Sequence, residues 1–387
     1  MKKFVKNQFS SLGIKAWLIA ISWYCFSCGG DVNTKAGLLT EYYLEKVDSI
    51  RVDRETNIRV LDVNRTTGHF LAADLITEEF LVLDSRGQIL EEVYRRGEGP
   101  NEYNNDLLAL SFNQEEGGYI AQSTTEQIRF NDSWEVDGRI RFSPHYSVFF
   151  YGGPRMGVPY YRTPNDSAIY FFTHFLSGVS AGIGAEEVGE VAAHLIEQYN
   201  PQKKVLEWVF PFDSERLPKF DRDEKSKDKK PVQVYALEKE KGLMYLTFER
   251  STEVGIYELA NNFELKEKME FSHATFNPSH NSKNIGLYLF NSGLMGVLYY
   301  KGISEAAAEA RKSANEEYAP YMDPSLYQFI VLEDGKQQKQ EIEFPFKCEP
   351  RREILVLPGN RFMLRDKYTG NTEPEFYTFS IFELKER

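Results

Sequence analysis

Cysteine is scarce in this chain: three in 387 residues, with Cys25 and Cys28 near the start and Cys348 alone in the body. No disulfide framework can form in the body, and Cys348, between Lys347 and Glu349, reads as a packed thiol with no histidine nearby in sequence to activate it. Histidine is sparse too, at six. His273 and His280 flank Phe276-Asn277-Pro278 and His145 follows Pro144, without the close spacing and further ligands that zinc requires. Asp221, Asp223 and Glu224 alternate with lysines and lack the glycine and terminal glutamate of a calcium loop. No G-x-S-x-G, H-E-x-x-H or phosphate-loop pattern occurs, so no metal or cofactor is expected and nothing positive marks an enzyme. Positive charge is also short. The net charge is -12, and the four lysines of residues 1–27, which hold no acid, leave the remainder at -16. A surface that acidic repels phosphate backbones and excludes nucleic acid as a partner.

What is abundant is aromatic. With 28 Phe, 23 Tyr and a hydrophobic content of 42%, the chain can build a core, and its flat side chains suit half-buried strands. Lys2, Lys3, Lys6 and Lys15 precede an apolar run at 16–26, AWLIAISWYCF. A basic start followed by an apolar run too short for the roughly 20 residues of a membrane span is the pattern of a secretory signal peptide. Cys28, directly after Ser27, resembles the lipidated cysteine of a bacterial lipobox, although Cys25 stands three positions earlier where leucine is usual. The alternative is an ordinary signal peptide cut near Gly29 or Gly30. The expected organisation is a lipoprotein signal peptide at 1–27, a small polar tether at 28–40 and one folded domain at 41–387.

That domain reads as repeats of four short strands. Residues 58–63, 69–75, 79–84 and 88–94 are β-rich runs separated by tight corners such as Ser85-Arg86-Gly87. A second group follows at 107–112, 118–122, 127–131 and 134–142, and a fourth repeats cleanly at 232–237, 243–248, 253–259 and 263–271. The third group offers strands at 147–151, 168–175 and 204–210, and carries helical spacing at 185–199 through Val188, Val191, Ala192, Leu195 and Ile196. The fifth has strands at 285–290, 294–300, 328–333 and 338–344 around an alanine-rich helix at 304–318 that Ser304 can cap. Residues 220–230 form a charge run that reads as a solvated loop.

The last group has only three strands, at 353–357, 361–365 and 376–384, and residues 42–52 supply a fourth that belongs to no other group. Closing a ring with strands from both termini removes free sheet edges. The expected fold is therefore all-β: a six-bladed β-propeller with two helical insertions, its ring closed by N- and C-terminal strands in one blade. A pair of β-sandwiches linked at 220–230 is the competing architecture.

The stretch FLVLDSRGQILEEVYRRGEGPNEY resembles a segment of the six-bladed β-propeller lipoproteins of the Bacteroidetes, through Leu83, Asp84, Gly87, Gly97, Gly99, Pro100, Glu102 and Tyr103. Within that group the chain resembles an uncharacterised family of DUF4221 type. The resemblance implies a propeller lipoprotein of the envelope and carries over no functional residues.

Two segments are candidates for binding. Arg95, Arg96, Glu98 and Glu102 sit in a glycine-rich loop that either presents charge to an anionic or polar ligand or merely connects two blades, its arginines paired with neighbouring acids. Residues 151–165, YGGPRMGVPYYRTPN, concentrate Arg155, Tyr160, Tyr161 and Arg162, whose rings can stack on a sugar or a partner or pack over the propeller face. The expected function is a lipid-anchored, monomeric, non-catalytic binding or scaffolding protein of the Gram-negative outer membrane, taking a polypeptide or glycan partner. The alternative is a hydrolase or lyase working at the central channel.

Overall fold

The computed structural model describes residues 39–104, 107–143, 154, 157–162, 169–172, 194–200, 203–211, 215–220, 232–290, 293–350, 354–368 and 374–387. Leu39 apart, these belong to one unit, Thr40–Arg387. Their strands form six separate antiparallel sheets, the blades of a six-bladed propeller.

Blade 1 runs Ile58–Val63, Phe70–Asp74, Phe80–Leu83 and Ile89–Val93, and blade 2 runs Leu107–Phe112, Tyr119–Ser123, Glu126–Phe130 and Val136–Arg141. Blade 3 is Tyr160–Arg162, Ile169–Phe172, His194–Asn200 and Val205–Pro211, and blade 4 is Gln233–Glu238, Leu243–Phe248, Glu253–Glu258 and Glu264–Glu270. In blade 5, Lys283–Leu289, Leu294–Tyr300 and Tyr327–Glu333 are followed by two short strands, Lys336–Gln337 and Ile342–Glu343, which both pair with the third. Blade 6 joins Leu355–Leu357, Arg361–Arg365 and Tyr377–Glu386 to Tyr42–Val52, which pairs along Tyr377–Glu386 as the outermost strand. The terminal closure expected from the missing strand is present. Tyr42, Ile50 and Val52 anchor it in the core, and burying each such side chain contributes about 1.5–3 kcal/mol.

First strands of neighbouring blades pack together, blade 1 against blades 2 and 6 and blade 4 against blade 5, so these strands line the central channel. The core is a series of blade-to-blade interfaces. Between blades 1 and 2, Leu71, Phe80, Leu110 and Phe130 surround Trp134, which stacks on Tyr119 at 3.6 Å. Between blades 4 and 5, Val254, Val297, Tyr299 and Ile330 do the same work.

The alternation of direction fixes two faces. Turns joining first to second and third to fourth strands emerge on one, here called the turn face. Turns joining second to third strands, and the links between blades, emerge on the other, the joining face.

Two expectations change. Residues 185–193 and the expected strand at 147–151 lie outside the described residues, but His194–Asn200 is a strand where the helical spacing continued to 199. It is hydrogen-bonded on both edges, to Ile169–Phe172 and Val205–Pro211, with Leu195, Ile196 and Tyr199 buried. Apolar residues at 195, 196 and 199 fit either period, and two ladders outweigh local propensity. The other helix is present as Glu305–Ala314, with Ser304 Oγ accepting from the Ala307 amide at 3.3 Å and no residue buried. It ends before 318 because Asn315 turns extended.

Candidate functional site

The RRGEGP loop lies on the joining face, between the last strand of blade 1 and the first of blade 2. Arg95 donates from Nε to the Trp134 carbonyl at 3.0 Å and from Nη1 to the Tyr94 carbonyl at 3.2 Å. Arg96 pairs with Glu78. The Glu102 carboxylate accepts from the Gly99 amide at 2.7 Å, and a side chain at Gly97 would place its Cβ 2.0 Å from that same carboxylate. Arg139 donates to the Glu102 carbonyl at 2.7 Å and twice to Glu126, at 3.0 and 2.9 Å. Because Glu126 is only 4% exposed, this is a desolvated pair that stitches the loop to blade 2. Tyr103 is buried and stacks on Phe80 at 5.6 Å. Glu98 is exposed. The loop is thus a lock between blades, with both arginines engaged inside the protein.

The second candidate segment is placed differently from expectation. Tyr160, Tyr161 and Arg162 form the first strand of blade 3, which lines the channel, where the sequence suggested a surface loop. Three residues suffice because they ladder with Ile169–Phe172. Tyr161 packs among the apolar residues of blades 3 and 4. Its hydroxyl faces Gly242, a left-handed turn residue whose Cβ would lie 2.9 Å away. Arg155 and Cys28, like His145 and Asp221, Asp223 and Glu224, fall outside the described residues.

Tyr160 is the aromatic member of a cluster at the channel mouth on the turn face. The Lys239 ammonium, from the first turn of blade 4, sits 4.1 Å from the Tyr160 ring centroid. Asp62, near the end of the first strand of blade 1, accepts from its neighbour Val63 at 2.8 Å and from the Phe112 amide of blade 2 at 2.9 Å. Gln114 braces this corner by donating to the Val63 carbonyl at 2.8 Å. Arg65 of blade 1 pairs with Glu240 of blade 4. In a ring of six these blades stand opposite, so the pair spans the mouth. Glu115 and the Glu116–Arg129 ion pair (3.0 Å) add charge from blade 2.

Lys239 is exposed and Asp62 half-buried, and the protein crowded around both strips part of their hydration. That desolvation dominates. Burial raises Asp62 above the usual carboxylate range against the two amides and against Lys239 and Arg65. Burial lowers Lys239 against the attraction of Asp62 and Glu115. Tyr160 is raised by burial and then by Glu115 and Asp62, so its hydroxyl stays protonated. The mouth therefore offers an aromatic ring, a carboxylate and an ammonium to one small polar group.

Sequence reading missed Asp62 and Lys239. The available signal was a single carboxylate inside the strand IRVLDV, whose other charged residue is Arg59, and a KEKG turn that looks like many others. His273, weighed above as a metal ligand, instead bonds Asn284 at 2.8 Å and stacks on Phe276 at 4.2 Å. Among the described residues no group of three or more His, Cys, Asp or Glu is arranged for a metal ion.

No family model matches the chain, and no curated protein does. Solved structures do. A member of the DUF4221 family from Bacteroides vulgatus superposes with a TM-score of 0.64 at 11% identity, over 90% of this chain and all of that one. The chain shares the DUF4221 propeller fold. A candidate exported protein from Bacteroides fragilis matches at a TM-score of 0.47 and 11% identity, over 92% of this chain and 97% of that one. A gluconolactonase from Xanthomonas campestris matches at 0.41 and 11%, over 90% and 99%. At such identities the likeness to DUF4221 is one of fold. No helix among the described residues is long and apolar enough to cross a membrane.

Proposed function

We propose that this chain is a non-catalytic binding protein of the Gram-negative cell envelope, tethered by a lipid on Cys28, whose propeller takes a glycan at the channel mouth. The observation that carries the reading is the meeting of Asp62, Tyr160 and Lys239, from blades 1, 3 and 4, at the channel mouth. A sugar matches that set. Its C–H face packs on a tyrosine ring, its hydroxyls donate to a carboxylate, and they accept from an ammonium. Lys239 adds a preference for glycans that carry a carboxylate. The envelope location rests on the basic and apolar start of the chain and on Cys28 after Ser27.

The test is a glycan array probed with the wild-type chain, followed by titration of the strongest binder against Asp62→Asn. Retained binding by that variant, or capture of peptides and no glycan, contradicts the reading. Cys28→Ala should abolish palmitate labelling; continued labelling contradicts the tether. A second reading, a hydrolase or lyase at the same mouth, is favoured by the environment of Asp62 and Lys239: burial raises the one and lowers the other, each in the direction of the neutral range where a general acid or base works. Turnover of the bound glycan, followed by NMR and lost in Lys239→Met, would decide for it.

A further inference from the structure

A cavity of about 360 Å³ opens between blades 4 and 5 on the turn face, beside the channel mouth. Its size falls within the roughly 300–1,000 Å³ of small-molecule sites. The floor is apolar: Ile256 and Met269 from blade 4 meet Met295 and Leu332 from blade 5, the last three buried. The rim is acidic, with Glu238, Glu267 and Asp334 set against Lys241 alone. Lys241 is already spent on Glu238 at 2.7 Å, and the Tyr245 hydroxyl donates to Glu238 at 3.0 Å. Glu267 and Asp334 have no ion pair or side-chain hydrogen bond among the described residues.

The combination selects by elimination. An anion is repelled by the rim. A bare divalent cation would require six or more oxygens where the floor supplies carbon and thioether. A neutral apolar molecule would fill the floor but gain nothing from Glu267 and Asp334, which stand exposed at the rim. What satisfies floor and rim together is a cation on an aliphatic stem, and two methionines let the floor adapt to its length.

We infer that this cavity is a second ligand site, separate from the channel mouth, which binds an alkylammonium group. That chemistry reaches the site either as a free polyamine or as a lysine side chain of a polypeptide, and the two are separable by experiment.

The full chain is titrated calorimetrically with spermidine, with a blocked tripeptide carrying one central lysine, and with 1,6-hexanediol, which keeps the stem and drops the charge. One of the two amines should bind with a stoichiometry of one and the diol should not. Glu267→Gln and Asp334→Asn should each weaken the amine by about ten-fold, as expected for loss of one charge-assisted contact. Asparagine suits position 334, whose φ of 45° lies in the left-handed region. In the wild type, the methyl resonances of Met269 and Met295 should shift on saturation, which locates the ligand without any substitution. Absence of binding by both amines, equal binding by the diol, unchanged affinity in both Glu267→Gln and Asp334→Asn, or methyl resonances that do not move would each overturn the assignment.

Discussion

On the joining face Arg95, Arg96 and Arg139 are tied to backbone carbonyls and to Glu78 and Glu126, and the best-marked motif of the sequence serves to couple blade 1 to blade 2. On the turn face Asp62 and Lys239 sit in a channel mouth where burial works against their charges and Tyr160 supplies a ring. The first arrangement satisfies charge and stores stability; the second leaves charge available to a ligand. The difference teaches that a dense local cluster of charges is the easiest place for a protein to pair them off. Groups delivered from separate blades meet only after folding.

The sharpest way to break this comparison is to remove the partner of a desolvated acid. Arg139→Ala should cost about 3–5 kcal/mol in urea unfolding, because it leaves Glu126 buried against Arg141 alone at 3.5 Å. A loss near zero would mean that the lock is ornamental. Arg96→Ala removes a half-exposed pair and should cost only about 1 kcal/mol or less by the same measurement. On the turn face the order inverts. Lys239→Met should leave stability within about 1 kcal/mol of wild type, since Lys239 is exposed and makes no ion pair among the described residues, while abolishing ligand binding at the mouth.

Titration separates the faces further. On the joining face, burial lowers His273 despite its bond to Asn284. A base whose folded pKa is depressed takes up its proton first in the unfolded chain, so stability holds above the unfolded value of about 6.5 and declines as the pH falls through the folded one. His273→Phe should flatten the fall in melting temperature between pH 6.5 and the folded pKa; an unchanged slope would assign it to other groups. The smallest effect belongs to Cys348. Burial, and then Asp366, push its thiol up to about 12, so iodoacetamide at pH 8 should label it only after unfolding.

The fold was legible because a blade repeats its own punctuation. Turns such as Ser85-Arg86-Gly87 recur between β-rich runs, and the shortage of one strand in the last group pointed to Tyr42–Val52. Blade 3 resisted for a physical reason: its first strand is three residues long, and Leu195, Ile196 and Tyr199 suit a helix as well as a strand. The site was legible only in Tyr160, and then as a loop aromatic. Asp62 and Lys239 carry no local signature, since what makes them unusual is their desolvation by residues from other blades.

The central claim is that ligand binding belongs to the turn-face mouth and not to the RRGEGP loop. Titration of the array-selected glycan against two double variants tests it most directly. Arg95→Ala with Arg96→Ala should bind within about two-fold of wild type, whereas Asp62→Asn with Lys239→Met should lose at least about a hundred-fold, the sum of two charge-assisted contacts. The reverse order, with binding lost in the arginine pair and kept at the mouth, would contradict the account.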